Sequence, residues 1–417
     1  MKDKILNRIE RDRAAIVDFC AKLVRCNTSS SHGDTRFAAE LIKNYFAAEN
    51  IGFREIAACK TMPNLVATTE MAKVGRHLML NGHLDVMPAG NEAGWTVPPW
   101  SGTIRDGKII GRGVSDMKAG VTAMIFAYKY LREFRENLSG RLTLTLVSDE
   151  ETGYGRGTGF LFKKIPELMR ADSVLTGEPS GVDAISFSSK GYIQITVKVT
   201  TRGAIAGYSN ESRSAIEVAA EIIRDLKELE NFHVEIPASL QKFLNEPNYR
   251  KLHEKVRGAE HLEQLTRVTV DICTIKGGSL STVIAADCKF VAAIVIPLGT
   301  EVEALISEIK SIVERYPEAA LTIDGVDLPE ISPPDGELAK VLSEAIVTLG
   351  KVKPVMTPDI ALSDCRYWRY SGIPAYWYGA GGELCSAANE FVTVDDLIHV
   401  TKVHALAILN YLSDNAK

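Results

Sequence analysis

Residues 80–88 read LNGHLDVMP. Extended one turn back to Arg76, the stretch RHLMLNGHLDV is an apolar run that ends in a histidine, with a carboxylate two residues later. A short apolar run bounded by a turn signal reads as a buried strand. His83 therefore sits at a strand end, either as a metal ligand with Asp85 behind it or as a core histidine near a turn. The partners elsewhere in the chain decide between the two.

Working outward, the first 185 or so residues alternate strand and helix. NLVATTE (64–70), RLTLTLV (141–147) and SVLT (173–176) read as strands, and DMKAGVTAMIFAYKYLREF (116–134) as a helix. Strand, helix and strand in that order indicate an α/β layer around a largely parallel sheet. The texture then changes. YIQITVKVTT (192–201) alternates with period two, and RSAIEVAAEIIRDLKELE (213–230) is helical. RVTVDICTI (267–275) and CKFVAAIVIP (288–297) are strands, EVEALISEIKSIVERY (301–316) a second helix and AALTID (319–324) a last strand. This βαββαβ order predicts a separate ferredoxin-like domain. The proline-rich LPEISPPDGE (328–337) follows, and the remainder returns to α/β texture, ending in VDDLIHVTKVHALAILNYL (394–412). The expected fold is α/β: a catalytic domain with a mixed, largely parallel sheet, built from residues 1–187 and 328–417, with a lid domain inserted at 188–327.

At 417 residues the chain exceeds one ordinary core. Its 46% hydrophobic and 24% charged content is that of a globular protein. The net charge of −5 is spread without long blocks, which argues against nucleic acid or an anionic membrane surface as a partner. No apolar run approaches the roughly 20 residues that a bilayer needs. The N-terminal stretch is amphipathic, apolar at Ile5, Ile9, Ile16, Cys20 and Leu23, and lacks the pattern of a signal peptide. Seven scattered cysteines without a CxxC pair suggest reduced thiols and a cytoplasmic location.

Four groups lie just past strand ends or at turns: His83 with Asp85, Asp116, the triplet Asp149–Glu150–Glu151, and Glu178. Ligands of open α/β sheets bind outside the carboxyl ends of the strands, so groups far apart in sequence can converge there. One imidazole with several carboxylates suits Zn2+, Mn2+ or Co2+. The blander reading of SDEETG (148–153) is a solvated turn. The apolar strand aimed at it favours a site.

Taken together, GHLDVMP (82–88), GRGVSDMKAG (111–120), DEETG (149–153) and GEPS (177–180) resemble the successive motifs of the di-zinc amidohydrolases, which include acetylornithine deacetylase, succinyl-diaminopimelate desuccinylase, aminoacylase and related carboxypeptidases. The resemblance covers nearly the whole chain. It implies hydrolysis of the amide bond of a small N-acylated compound. His83 and Glu178 would hold one ion, Asp116 would bridge, and Glu151 would serve the other ion. Glu150 would be the general base, and the carboxylate of Asp85 would hold the second nitrogen of His83. The resemblance also implies a cis peptide after Asp116 and a homodimer formed through the lid. RSAIEVAAEIIRDL (213–226) is read as offering an apolar face for that dimer.

The chain departs from the family pattern in places. Where the family has a histidine ligand, GGELCSAANEF (381–391) has Ser386, three residues before Asn389, with Cys385 beside it. With that imidazole missing, one ion per chain is expected rather than two, unless Cys385 substitutes. RGAIAGYSNES (202–212) lacks the family's lid histidine, and Thr282 and Ile294 stand where polar lid anchors would be. Arg366 matches a late family arginine and could hold a substrate anion. The lost anchors leave open an aminohydrolase or deformylase acting on a less polar or aromatic substrate. A catalytically silent relative is a further alternative, against which the retained set of acids argues. His399 and His404 are expected to pack or face solvent. GYGRGTG (153–159) has the glycines of a dinucleotide loop, but an acidic triplet before it would repel a pyrophosphate. No G-x-S-x-G motif of a serine hydrolase is present.

Overall fold

The structure is a computed structural model and describes residues 1–29, 33–153, 155–351, 353–381 and 384–413. The chain divides into two compact units. The first comprises Met1–Phe187, Ser332–Thr357 and Ser363–Lys417, and the second Ser188–Ile331 and Pro358–Leu362.

The first unit is organised by a mixed sheet. Strand Lys73–His83 runs parallel to Ser139–Val147 on one side and to Ser173–Thr176 on the other. Ala375–Trp377 continues the parallel set beside Ser173–Thr176. Met62–Glu70 and Arg54–Cys59 extend the sheet antiparallel beyond Ser139–Val147. Registers of His83 on Val147 and Asn81 on Thr176 bring the strand ends to one edge of the sheet.

Along Ser139–Val147 the alternation of leucine and threonine suggests one wet face, yet every residue from Leu142 to Val147 is buried. Crossover helices cover both faces of a parallel sheet, so the hydroxyls must find partners inside. Thr145 Oγ1 donates to Leu80 O at 3.1 Å, and Thr143 Oγ1 is 2.8 Å from His77 Nε2. Each fully buried leucine here contributes about 2–3 kcal/mol.

Helix Ala119–Arg132 is buried from Ala119 through Leu131, rather than along one stripe, and packs against Val394–Tyr411. The N-terminal stretch is two helices, Lys2–Arg11 and Arg13–Arg25, broken at Asp12. Ile5, Ile9, Ile16, Cys20 and Leu23 are all fully buried, as their spacing predicts.

The second unit is a four-stranded antiparallel sheet in the order Thr269–Gly277, Asp287–Ile296, Gly191–Thr200, Ala319–Asp327. Helices Ala215–Lys227 and Val302–Glu314 cover one face, giving the ferredoxin-like βαββαβ arrangement. Ile193, Ile195, Val197 and Val199 point into that core while Gln194 and Thr196 do not. The unit also contains three short helices absent from the sequence reading: Ala238–Leu244, Pro247–Arg257 and Ala259–Gln264. Pro237, Pro247 and Gly258 cut this stretch into pieces too short for a clear helical period. Among the described residues no helix is long and apolar enough to cross a membrane.

Candidate metal centre

The site is built at the carboxyl edge of the parallel strands. His83 is the last residue of its strand, and Glu178 follows Thr176 by two. Asp116 lies in the turn Val114–Lys118 that leads into helix Ala119–Arg132, and the Asp116–Met117 peptide is cis. The approach of these elements depends on glycine. A Cβ on Gly120 would lie 1.9 Å from Gly177 O, so only glycine lets the helix start reach the Glu178 turn.

His83 Nε2 is 3.0 Å from Asp116 Oδ1 and 3.6 Å from Glu178 Oε2. One ligand atom from each of the three lies within 4.8 Å of the others. His83 and Glu178 are buried. Burial works against charge on His83, but Glu178 and Asp116 overcome it and push the imidazole well above its usual range. Glu178 is pushed up to about 8, mainly by burial, although His83 opposes this. Glu150 and Glu151 are raised by burial and by neighbouring carboxylates, and Glu151 strongly so.

The Oε1 atom of Glu151 is buried with no hydrogen-bond partner among the described residues. Buried carboxylates are costly unless paired or bound to metal. An imidazole and four acids packed together, one of them with an orphaned oxygen, form a donor set suited to a divalent cation.

Asp85 differs from expectation. Its backbone carbonyl, 2.8 Å from His83 Nδ1, fixes the ring, while the carboxylate Oδ1 lies 3.9 Å from that nitrogen. The carboxylate instead accepts the backbone N–H groups of Glu150 and Glu151, at 3.2 and 3.0 Å. Asp85 therefore ties the Glu150–Glu151 turn to the histidine strand. Burial pushes its carboxyl up to about 6, opposed by His83 and those two N–H groups.

The acidic triplet divides by role. Asp149 accepts from Thr152 Oγ1 and from Arg156 N, so it closes the local turn. The Arg156 amide in the glycine-rich loop is thereby spent on the protein itself. Arg366 is buried, with Nη1 donating to Ser363 O at 2.9 Å and lying 3.6 Å from Glu150 Oε1. His404 is buried with Nε2 2.7 Å from Tyr378 O, a packing residue.

Two residues whose part the sequence reading missed hold the Asp116 turn. Glu390, fully buried, accepts from Arg112 Nη1 at 2.5 Å, Ser115 N at 2.8 Å and Gly113 N at 3.2 Å. Strand Phe391–Thr393 pairs with Lys108–Ile110, which delivers Glu390 to this turn. Their burial is visible only in the structure, and nothing in the sequence paired Arg112 with Glu390.

Thr282 and Ile294 belong to the second unit. Ile294 is buried in the core of the second unit, so its apolar character serves packing there. The apolar residues Ala215, Val218, Ala219, Ile222 and Leu226 of helix Ala215–Lys227 are consumed by the same core. Ile216 of the same helix stays exposed.

Residues 79–410 match Peptidase family M20/M25/M40. Succinyl-diaminopimelate desuccinylase 2 of Ruegeria sp. (strain TM1040) is 26% identical over 418 residues, covering 96% of each chain. Human carnosine dipeptidase 1 superposes with a TM-score of 0.81 at 17% identity, over 99% of this chain and 100% of its own. The Bacillus subtilis YXEP protein, a dinuclear metal binding peptidase, superposes with a TM-score of 0.61 at 14% identity, over 96% of this chain and 99% of its own. The match across most of the chain agrees with a strand-edge cluster of one histidine and several carboxylates: this protein belongs to Peptidase family M20/M25/M40 and is a metal-dependent hydrolase of amide bonds.

Proposed function

We propose that the chain hydrolyses the amide of a small N-acylated compound, with His83, Asp116 and Glu178 holding a zinc ion and Glu150 acting as general base. The convergence of those three ligand atoms within 4.8 Å carries the reading. Manganese or cobalt would suit the same donors. Bound there, the ion would supply Lewis acidity, lowering the pKa of water toward about 7 and polarising the carbonyl.

The protein's own groups do the rest. Glu150 takes a proton from the attacking water and delivers it to the amide nitrogen as the C–N bond breaks, leaving a carboxylate and an amine. Burial alone would hold that proton too tightly. His83 and Arg366 pull the carboxyl back toward its charged form. Asp85 keeps Glu150 and Glu151 in register with His83 through the two backbone N–H groups. Arg366, already inside the site, would also meet an anionic end of the substrate. A relative that is a desuccinylase by name, and a structural neighbour that is a dipeptidase, support a small acylated amine as substrate.

The expectation of a single ion finds no support: one structural neighbour is a dinuclear metal binding peptidase. The seven free cysteines support a reducing, cytoplasmic compartment. We assign a homodimer through the second unit on the strength of its edge strand Thr269–Gly277, where Ile275 is exposed, and the exposed Ile205, Tyr208 and Leu280 of the same unit. Sedimentation should show two chains at micromolar concentration, and a monomer would refute that assignment.

The test of the activity is a screen of the metal-loaded protein against N-acyl amino acids, dipeptides and aromatic amides, with His83→Ala alongside. Hydrolysis that vanishes together with bound metal in His83→Ala is the expected result. Full activity in that variant would overturn the reading.

A further inference from the structure

We propose that the segment Gly157-Thr158-Gly159 sets the distance between Arg366 and Glu150, with Thr158 a positioning residue for the reaction. The inference rests on the reading of Glu150 as general base and gives the glycine-rich loop a role in holding that base against its arginine.

Thr158 opens helix Thr158–Lys164 and is buried. Its Oγ1 donates to Asp364 Oδ2 at 2.7 Å and accepts from Asn81 Nδ2 at 3.2 Å. A hydroxyl carries one proton and two lone pairs, so a single side chain can make both bonds. Asn81 also donates to Thr145 Oγ1 at 3.1 Å. It lies two residues before His83 on the same strand, and side chains two apart share a face. Thr158 is thereby tied to the strand that carries His83.

The other bond reaches Arg366. Asp364 is buried, and Oδ1 of its carboxylate has no hydrogen-bond partner among the described residues. The bond from Thr158 to Oδ2 is therefore what holds this carboxylate. Asp364 immediately precedes helix Cys365–Arg369. The carbonyl just before it, Ser363 O, takes Arg366 N at 3.2 Å and Arg366 Nη1 at 2.9 Å. The same Nη1 lies 3.6 Å from Glu150 Oε1. A displaced Asp364 carries Ser363 O with it, and the guanidinium then moves away from Glu150.

Two glycines let this threonine stand between the two turns. A Cβ on Gly157 would lie 3.1 Å from Asp149 O and 3.2 Å from Asp149 N, in the residue next to Glu150. A Cβ on Gly159 would lie 3.0 Å from the Tyr367 hydroxyl and 3.1 Å from its ring, in the residue next to Arg366. Both approaches are closer than the optimal carbon contact of about 3.5–4.0 Å. The backbone on either side of Thr158 thus rests on the turn of the base at one end and on the turn of the arginine at the other.

The experiment uses metal-loaded full-length protein with N-acetyl amino acids and dipeptides as probes. Metal content and kcat/KM are read on wild type, Thr158→Val, Thr158→Ser, Gly159→Ala, Arg366→Gln and the Thr158→Val, Arg366→Gln double variant. Crystal structures of wild type, Thr158→Val and Gly159→Ala give the separation of Arg366 and Glu150. Valine keeps the shape of threonine but loses both hydrogen bonds, so kcat/KM should fall about 10- to 100-fold, as for a misplacement of about 1 Å, with metal content unchanged. Serine, which keeps the hydroxyl, should restore kcat/KM to within about threefold of wild type. In the Arg366→Gln background the valine should cost less than about twofold, because residues that act through one another are not additive. The separation of 3.6 Å should lengthen in Thr158→Val. If that variant does not fold, Gly159→Ala, which keeps the hydroxyl and favours the helix, should show the same fall and the same lengthening. Wild-type kcat/KM in Thr158→Val, a serine variant as weak as the valine one, a full penalty in the Arg366→Gln background or loss of metal overturns the inference. Wild type that cleaves none of the probes counts against the proposed activity. The structures then decide the positioning: an unchanged separation overturns it and a longer one upholds it.

Discussion

Glu390 offers the sharpest test of how the site is held. It lies 278 residues from Arg112 in sequence, yet the two form a buried ion pair at 2.5 Å. The same carboxylate takes Gly113 N at 3.2 Å, Ser115 N at 2.8 Å and Asp116 N at 3.3 Å. Replacing it with alanine would leave the Arg112 charge without its partner, at about 3–5 kcal/mol. The amides that lose an acceptor would add roughly 1 kcal/mol each. That total approaches the whole stability of an ordinary domain, about 5–15 kcal/mol, so alanine tests little beyond folding.

Glu390→Gln is the better perturbation. Its carbonyl oxygen can keep the amides of Ser115 and Asp116, but its NH2 group then faces both the Arg112 donor and the Gly113 N–H. The loss of one charge-assisted bond should cost about 2–3 kcal/mol. In a unit of this size that lowers the melting temperature by roughly 4–10 °C. Because Asp116 depends on this anchor for its backbone position, metal affinity should also fall about 10- to 100-fold. Thermal melts in chelator measure the first effect and competition against a metal indicator the second. A variant that melts within about 2 °C of wild type and binds metal equally well would falsify the claim that Glu390 holds the Asp116 turn.

Glu150→Gln should retain its metal and lose about 100- to 10,000-fold in turnover, the usual range for a general base; loss of metal in this variant would instead make Glu150 a ligand. Gly120→Ala puts a methyl 1.9 Å from Gly177 O and should cost at least about 1–3 kcal/mol while moving Glu178, read as a lower melting temperature with weaker metal binding. Unchanged values for both would show that the close approach is not needed. His404 has its imidazole lowered to about 4 by burial, so the folded state stays neutral where the unfolded chain takes a proton near 6.5. Stability should therefore fall as pH drops from about 6.5 toward 4, by about 3 kcal/mol in total. His404→Gln should flatten that dependence in pH-resolved urea melts by close to one proton; an identical slope would contradict the assignment.

Much of this protein is written along the chain. Period-two alternation in Tyr192–Thr200 and the helical spacing of Val218, Ile222 and Leu226 announce the second unit, because burial of one face imposes those periods directly on sequence. The acids at strand ends are legible for a similar reason: a parallel sheet delivers the residues after successive strands to one edge, so His83, Glu150, Glu151 and Glu178 converge without any long-range detail. The side-chain partners are not legible in this way. Whether the carbonyl or the carboxylate of Asp85 meets the His83 ring depends on how the turn at Glu150 closes over it. That Ile294 serves a core follows from its register opposite Ile193 in a neighbouring strand. The approach of Cys385 to the second oxygen of Asp116, and the pairing of Arg112 with Glu390, depend on a loop carried in by strand Phe391–Thr393. Periodicity records which face of an element is buried; only the folded chain decides which atoms of distant segments arrive within hydrogen-bonding distance, because that distance is set by loop closure and packing between elements rather than by spacing within one.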